Sequence, residues 1–193
     1  MLEHPLARRA LGRCMAALVC LAGAISAGAA APADASPPAA VFNTPAEPPA
    51  LLLPVQGISA SELRDTFGDG RDGGQRGHEA IDILAPSGTP VLAADDGRIV
   101  KLFLSQPGGI TVYQFDPSGR LAYYYAHLAR YADGLAEGQT VQRGSVIGYV
   151  GATGNANPAA PHLHFAIFRL GPEKQWWKGE PVNPFSYLGG KLP

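Results

Sequence analysis

Residues 110–128 read ITVYQFDPSGRLAYYYAHL. Two runs rich in β-branched and aromatic residues flank Asp116-Pro117-Ser118-Gly119, each residue of which favours a turn. This pattern predicts a β-hairpin, with residues 110–115 pairing with residues 121–127. The same punctuation recurs outward from it. Asp95-Asp96-Gly97 precedes RIVKLFL, Pro107-Gly108-Gly109 precedes the hairpin itself, and Arg143-Gly144 precedes SVIGYVG. Only residues 60–66 and 128–135 have the composition for a helical turn or two, and no internal repeat is present. The chain is therefore expected to fold as a mainly β domain of antiparallel strands.

The ends of the domain follow from composition. Arg8, Arg9 and Arg13 precede the apolar run MAALVCLAGA (residues 15–24), and ISAGAAAP follows it with small-residue cleavage sites. Residues 1–31 are thus expected to be a signal peptide. Residues 32–50 are rich in Pro and Ala with few bulky apolar side chains, the composition of an extended linker. The globular region is expected over residues 51–193. Both cysteines, Cys14 and Cys20, lie in the signal segment, so any metal must be held by His and carboxylates. The whole chain has a net charge of −1. Removing Arg8, Arg9, Arg13 and Glu3 with the signal takes this to −3 and leaves no basic block, so neither nucleic acid nor an anionic membrane is an expected partner.

Four histidines remain beyond the signal: His78, His127, His162 and His164. Along a strand, residues two apart share a face and stand roughly 6.6 Å apart. His162 and His164 can converge on one small volume while Leu163 and Phe165 pack behind them. His78 and Asp82, four apart in GHEAIDI, would be about 13 Å apart if extended. They can share an ion only if the backbone turns between them, around Gly77 and Ala80. A His, an Asp and a His with an open fourth position suit a catalytic zinc site, and a histidine left over can move protons near neutral pH. Spacing alone leaves open which of His162 and His164 would bind metal. Strict alternation sends Tyr125 to the face of His127 at the end of its strand, and turns Glu79 away from the site. Asp95 and Asp96 are explained by their turn, and Asn155 and Asn157 lie in a loop leading to the His-Leu-His strand.

Several segments together carry a family resemblance: RGHEAIDILAPSGTPVLAADDGRIV (76–100), YAHL (125–128), QTVQRGSVIGYVGATG (139–154), PHLHF (161–165) and WWKGEPVNPFSYL (176–188). In this order they resemble the lysostaphin-type (LytM-type, Gly-Gly endopeptidase-type) zinc metallopeptidases over roughly residues 67–188. The resemblance implies an antiparallel sheet with an open groove, the duplicated hybrid-motif fold. It implies one Zn2+ held by His78, Asp82 and His164. It also implies His127 and His162 as a catalytic pair that activates water and stabilises the tetrahedral intermediate. One position departs from the family pattern: Ala80 stands where members usually carry glycine.

The function so implied is hydrolysis of peptide cross-links in bacterial peptidoglycan by an exported monomer of the periplasm or cell envelope. The bond expected is the D-Ala-to-diaminopimelate link rather than a polyglycine bridge. The alternatives are a non-catalytic peptidoglycan-binding regulator of the same fold (an amidase activator) and a zinc enzyme acting on protein.

Overall fold

A computed structural model describes residues 47–71, 73 and 75–190. The expected signal peptide, and the expected linker as far as residue 46, lie outside the described residues. Eleven strands are described: β1 (Gly70–Arg71), β2 (Arg76–Gly77), β3 (Ile81–Leu84), β4 (Pro90–Leu92), β5 (Gly97–Ser105), β6 (Gly109–Phe115), β7 (Leu121–Tyr131), β8 (Thr140–Val141), β9 (Val146–Val150), β10 (His162–Leu170) and β11 (Gly179–Val182). β1 and β2 form a small ribbon, and the other nine form one open antiparallel sheet. Its main path runs β11-β10-β7-β6-β5-β8, with β3 on β10, β9 on β7 and β4 on β9.

The expected hairpin is present. β6 and β7 pair across the DPSG turn, and the Asp116 carboxylate accepts the backbone N–H groups of Ser118, Arg120 and Leu121. β10 is the strand on which the site depends. One edge pairs with β7, and the other is shared by β3 and β11. On the buried face Leu163, Phe165 and Ile167 meet Ile81, Ile83, Tyr123 and Tyr125, all fully or almost fully removed from water. This alternating burial of branched and aromatic side chains is what makes the pleated pairing stable.

Two expectations of helical turns are corrected. Residues 128–131 continue β7, because Leu128 packs in the core and pairs with Val150 of β9. Of residues 60–66 only Ala60–Glu62 forms a 3-10 turn. Among the described residues no helix is long and apolar enough to cross a membrane. At the other end of the domain the chain is already seated at Glu47, before the expected start at residue 51. Its carboxylate accepts from Arg169 Nη2 and Tyr187 Oη, each at 2.6 Å.

Candidate active site

Asp82 and His164 stand directly opposite each other in the β3–β10 register. His78 arrives from outside the sheet. Its N–H donates to Asp69 O and its carbonyl accepts from Gly68 N–H, so the loop before β1 clamps the backbone on both sides of the residue. The chain then turns through Glu79 and Ala80 into β3, which is the bend that the spacing required. Ala80 is fully buried and is not among the residues with positive φ. Alanine in place of the family's glycine therefore imposes no left-handed backbone there. Glu79 lies between β2 and β3, not on a strand, and its exposed side chain lines the cleft rim instead of turning away.

Three acceptor atoms converge at this point. His78 Nε2 is 3.1 Å from Asp82 Oδ1 and 3.0 Å from His164 Nδ1, and His164 Nδ1 is 3.2 Å from Asp82 Oδ1. These three residues form a group that could hold a metal ion. Thr66 organises two of them: its carbonyl accepts His78 Nδ1–H at 2.8 Å, and its Oγ1 accepts Asp82 N–H at 3.0 Å. The first bond fixes the His78 tautomer and leaves the Nε2 lone pair facing Asp82 and His164.

The other two histidines are oriented in the same way. His127 donates Nδ1–H to Thr153 O at 2.8 Å, and His162 donates Nδ1–H to Ala160 O at 2.9 Å. Each is left with Nε2 as its free lone pair. His162 Nε2 is 3.8 Å from Asp82 Oδ1, and the His127 ring lies 5.0 Å from the His162 ring and 5.6 Å from the His164 ring, edge-on to both. The structure thus brings together all five residues singled out from the sequence. A cleft of about 660 Å³ opens over them, lined also by Tyr124, Asn155, Asn157 and Phe168.

His127 does not end its strand. It lies within β7 with φ of 61°, one of two non-glycine residues with positive φ among those described. The register explains this. Val112 pairs with Tyr125 and Ile110 with Leu128, so Ala126 and His127 together oppose the single residue Thr111. The extra residue is a β-bulge, and it reverses the facing of every side chain before it relative to those after it. The expectation that Tyr125 shares a face with His127 is therefore wrong. Tyr125 is fully buried, donating to Gln114 Oε1 at 2.8 Å and accepting from Ala94 N–H at 3.0 Å. Tyr124 enters the cleft instead, its ring edge-on to His164 at 5.9 Å. Strained positions of this kind persist only where the surroundings hold them. Here Gly108 O accepts His127 N–H, and Thr153 bridges with its hydroxyl, accepting from Ile110 N–H and donating to Leu128 O. Gly109 and Gly154 make this loop contact possible. Both have positive φ, and a Cβ on Gly109 would lie 2.4 Å from the Thr153 carbonyl carbon.

Electrostatics follow from burial and convergence. Burial raises the Asp82 carboxyl, but the close approach of His164 and His78 outweighs it and holds the group well below the usual carboxylate range. Burial pushes His127 down to about 4, partly opposed by its bond to Thr153 O, so the ring is neutral near pH 7. Burial likewise lowers His164, against the pull of Asp82.

Thr66, Tyr124, Thr153, Ala160 and Phe168 take part in this site and were not identified from the sequence. Nothing local marks Thr66, 16 residues before the group it supports, and the parity error hid Tyr124.

Comparisons with known proteins show what the chain is similar to. The chain is 35% identical over 145 residues to the L-Ala--D-Glu endopeptidase of Bacillus subtilis, covering 72% of this chain and 42% of that protein. It is 39% identical over 110 residues to the DD-carboxypeptidase/endopeptidase Mpg of Neisseria meningitidis, covering 56% of this chain and 22% of that protein. The chain thus spans less than half the length of these relatives. Its fold matches the catalytic domain of the antimicrobial peptidase lysostaphin from Staphylococcus simulans with a TM-score of 0.56 and 28% identity, covering 66% of this chain and 92% of that domain. The sheet topology, the relatives and a family match over residues 76–184 agree, and the chain belongs to peptidase family M23.

Proposed function

We propose that this chain is a zinc metallo-endopeptidase that hydrolyses peptide cross-links of bacterial peptidoglycan. The observation that carries the reading is the triangle of His78 Nε2, Asp82 Oδ1 and His164 Nδ1, with sides of 3.0–3.2 Å. Donors bound to zinc at tetrahedral angles stand roughly 3.4 Å apart, so the triangle needs almost no adjustment to take the ion. The mixed N and O donor set, one short of four, is that of a catalytic rather than a structural site. A zinc ion held there supplies Lewis acidity and lowers the pKa of bound water toward ~7.

The remaining steps fall to the chain's own groups. His127 and His162 each have Nδ1–H tied to a backbone carbonyl, so each can present a bare Nε2 to the cleft. Kept neutral near pH 7 by burial, His127 is able to accept a proton. Between them the pair takes a proton from the attacking water, returns one to the leaving amine and stabilises the tetrahedral intermediate. The buried, hydrogen-bonded frame holds both rings in place before substrate arrives.

The wall as substrate rests on the relatives. The Neisseria relative is named for DD activity, which supports the D-Ala-to-diaminopimelate cross-link; the Bacillus relative's name makes the L-Ala–D-Glu bond the competing outcome. The reading includes a signal peptide over residues 1–31, a linker that ends before Glu47, where the chain is already held by Arg169 and Tyr187, and export to the periplasm or cell envelope, with the protein acting as a monomer. The test is mass spectrometry of muropeptides released from diaminopimelate-type and polyglycine-bridged walls, with and without a chelator. Chelator-sensitive appearance of new amino termini supports the proposal, and the bond cut is read from the fragment masses. A zinc-loaded protein that releases none from either wall refutes it and favours the regulator.

A further inference from the structure

The cleft does not end at Tyr124. Tyr113 of β6 pairs directly across the sheet with Tyr124 of β7, their rings 4.5 Å apart. From the loop between β10 and β11, Trp176 folds back over this face, 4.7 Å from Tyr113 and 5.4 Å from Phe103 of β5. Trp177 stands edge-on to Trp176 at 5.2 Å. Aromatic rings therefore run without a break from His164 to the surface. They emerge there as Phe103, 39% exposed, and Trp177, 62% exposed.

Such a surface is costly to leave in water. Each large aromatic side chain has 150–250 Å² to bury, worth several kcal/mol at about 25 cal/mol per Å². Contiguous exposed rings with a polar rim mark a binding surface. The rim here includes Lys101, opposite Tyr113 in the sheet and ion-paired to Glu137 at 2.8 Å. The backbone beneath is not available to a ligand, because β6 is paired on both sides, by β5 and β7. The surface therefore offers ring faces and charged edges, not a strand edge for a peptide to join. A pyranose ring has the matching shape: one face of C–H groups to lie on an indole or phenyl ring, and an equatorial edge of hydroxyl and acetamido groups for the charged rim. Tilted and edge-to-face contacts among the rings already pack them against one another, which reduces what a ligand must order.

We infer that Phe103, Tyr113, Trp176 and Trp177 form a subsite for the sugar rings of the glycan strand that carries the peptide substrate. The inference rests on the peptidoglycan reading, since peptide and sugar of one wall strand would then lie along one continuous surface, cleft to platform. The test is an NMR titration with a peptide-free β-linked N-acetylglucosamine oligomer, which requires no catalysis. Saturable shifts at the four aromatic residues are expected, with affinity at least tenfold weaker in Trp177→Ala and in Phe103→Ala. No saturable shift, or unchanged affinity in both variants, overturns the inference. A second arm compares kcat/KM on glycan-linked muropeptides and on a sugar-free cross-linked peptide. The variants are expected to lose about tenfold on the first only, and an equal loss on both overturns it. An inactive protein that still binds the oligomer sinks the peptidase reading and leaves the subsite standing.

Discussion

Thr66→Val is the substitution that most directly tests how the metal triangle is held. Thr66 Oγ1 accepts Asp82 N–H at 3.0 Å, and Thr66 O accepts His78 Nδ1–H at 2.8 Å. Valine keeps the branched shape and the carbonyl but removes the hydroxyl from Asp82. A typical hydrogen bond contributes about 1 kcal/mol net, and up to about 3 kcal/mol where a buried donor finds no replacement. For a domain of this size 1 kcal/mol corresponds to roughly 2–4 °C in Tm, so the metal-free variant should melt at least that much lower. Partners that orient ligands typically contribute about 10–100-fold in metal affinity, and a loss toward the lower figure is expected because the His78 bond survives. Chelator competition measures zinc affinity, and calorimetry of the metal-free protein measures Tm. Thr66→Ser restores the hydroxyl and should recover most of both. Wild-type affinity and Tm in Thr66→Val would refute the reasoning, as would a serine variant no better than valine.

Removing a ligand and removing a proton carrier should give different signatures. His164→Ala is expected to lose stoichiometric zinc and all hydrolysis, by metal analysis and muropeptide release. His127→Gln should keep its zinc while kcat falls about 10²–10⁴-fold, and loss of zinc in that variant would count against a proton-transfer role. Tyr125→Phe removes two buried hydrogen bonds and should destabilise the fold by about 1–3 kcal/mol in denaturant unfolding. Its KM should not change, because the bulge keeps Tyr125 out of the cleft. Since burial holds His127 at about 4, against ~6.5 in an unfolded chain, the unfolded state takes up the extra proton and stability falls as pH drops through that window. Metal-free His127→Gln should lose less stability than wild type between these pH values, and parallel unfolding curves would contradict this.

Much of the architecture was legible along the chain. Turn residues at Asp116–Gly119 and branched or aromatic runs on either side specify a hairpin through local sterics and side-chain burial, whatever lies elsewhere. The His-Leu-His alternation likewise places His162 and His164 on one face because strand geometry has a period of two. The spacing of His78 and Asp82 required a bend, and the backbone supplies it. Family resemblance named the same five residues that the fold gathers.

What the chain could not reveal lay in pairings between distant segments. That Asp82 sits opposite His164 is a matter of register between β3 and β10, 82 residues apart in sequence. The exchange of Tyr125 for Tyr124 comes from a single unpaired residue in β7, visible only once β6 is laid beside it. Thr66, Thr153 and Ala160 orient histidines through backbone carbonyls, groups every residue possesses, so no residue type announces the role. Residue identity supplied the chemistry; the register of the sheet, set by burial of its core face, decided which atoms meet.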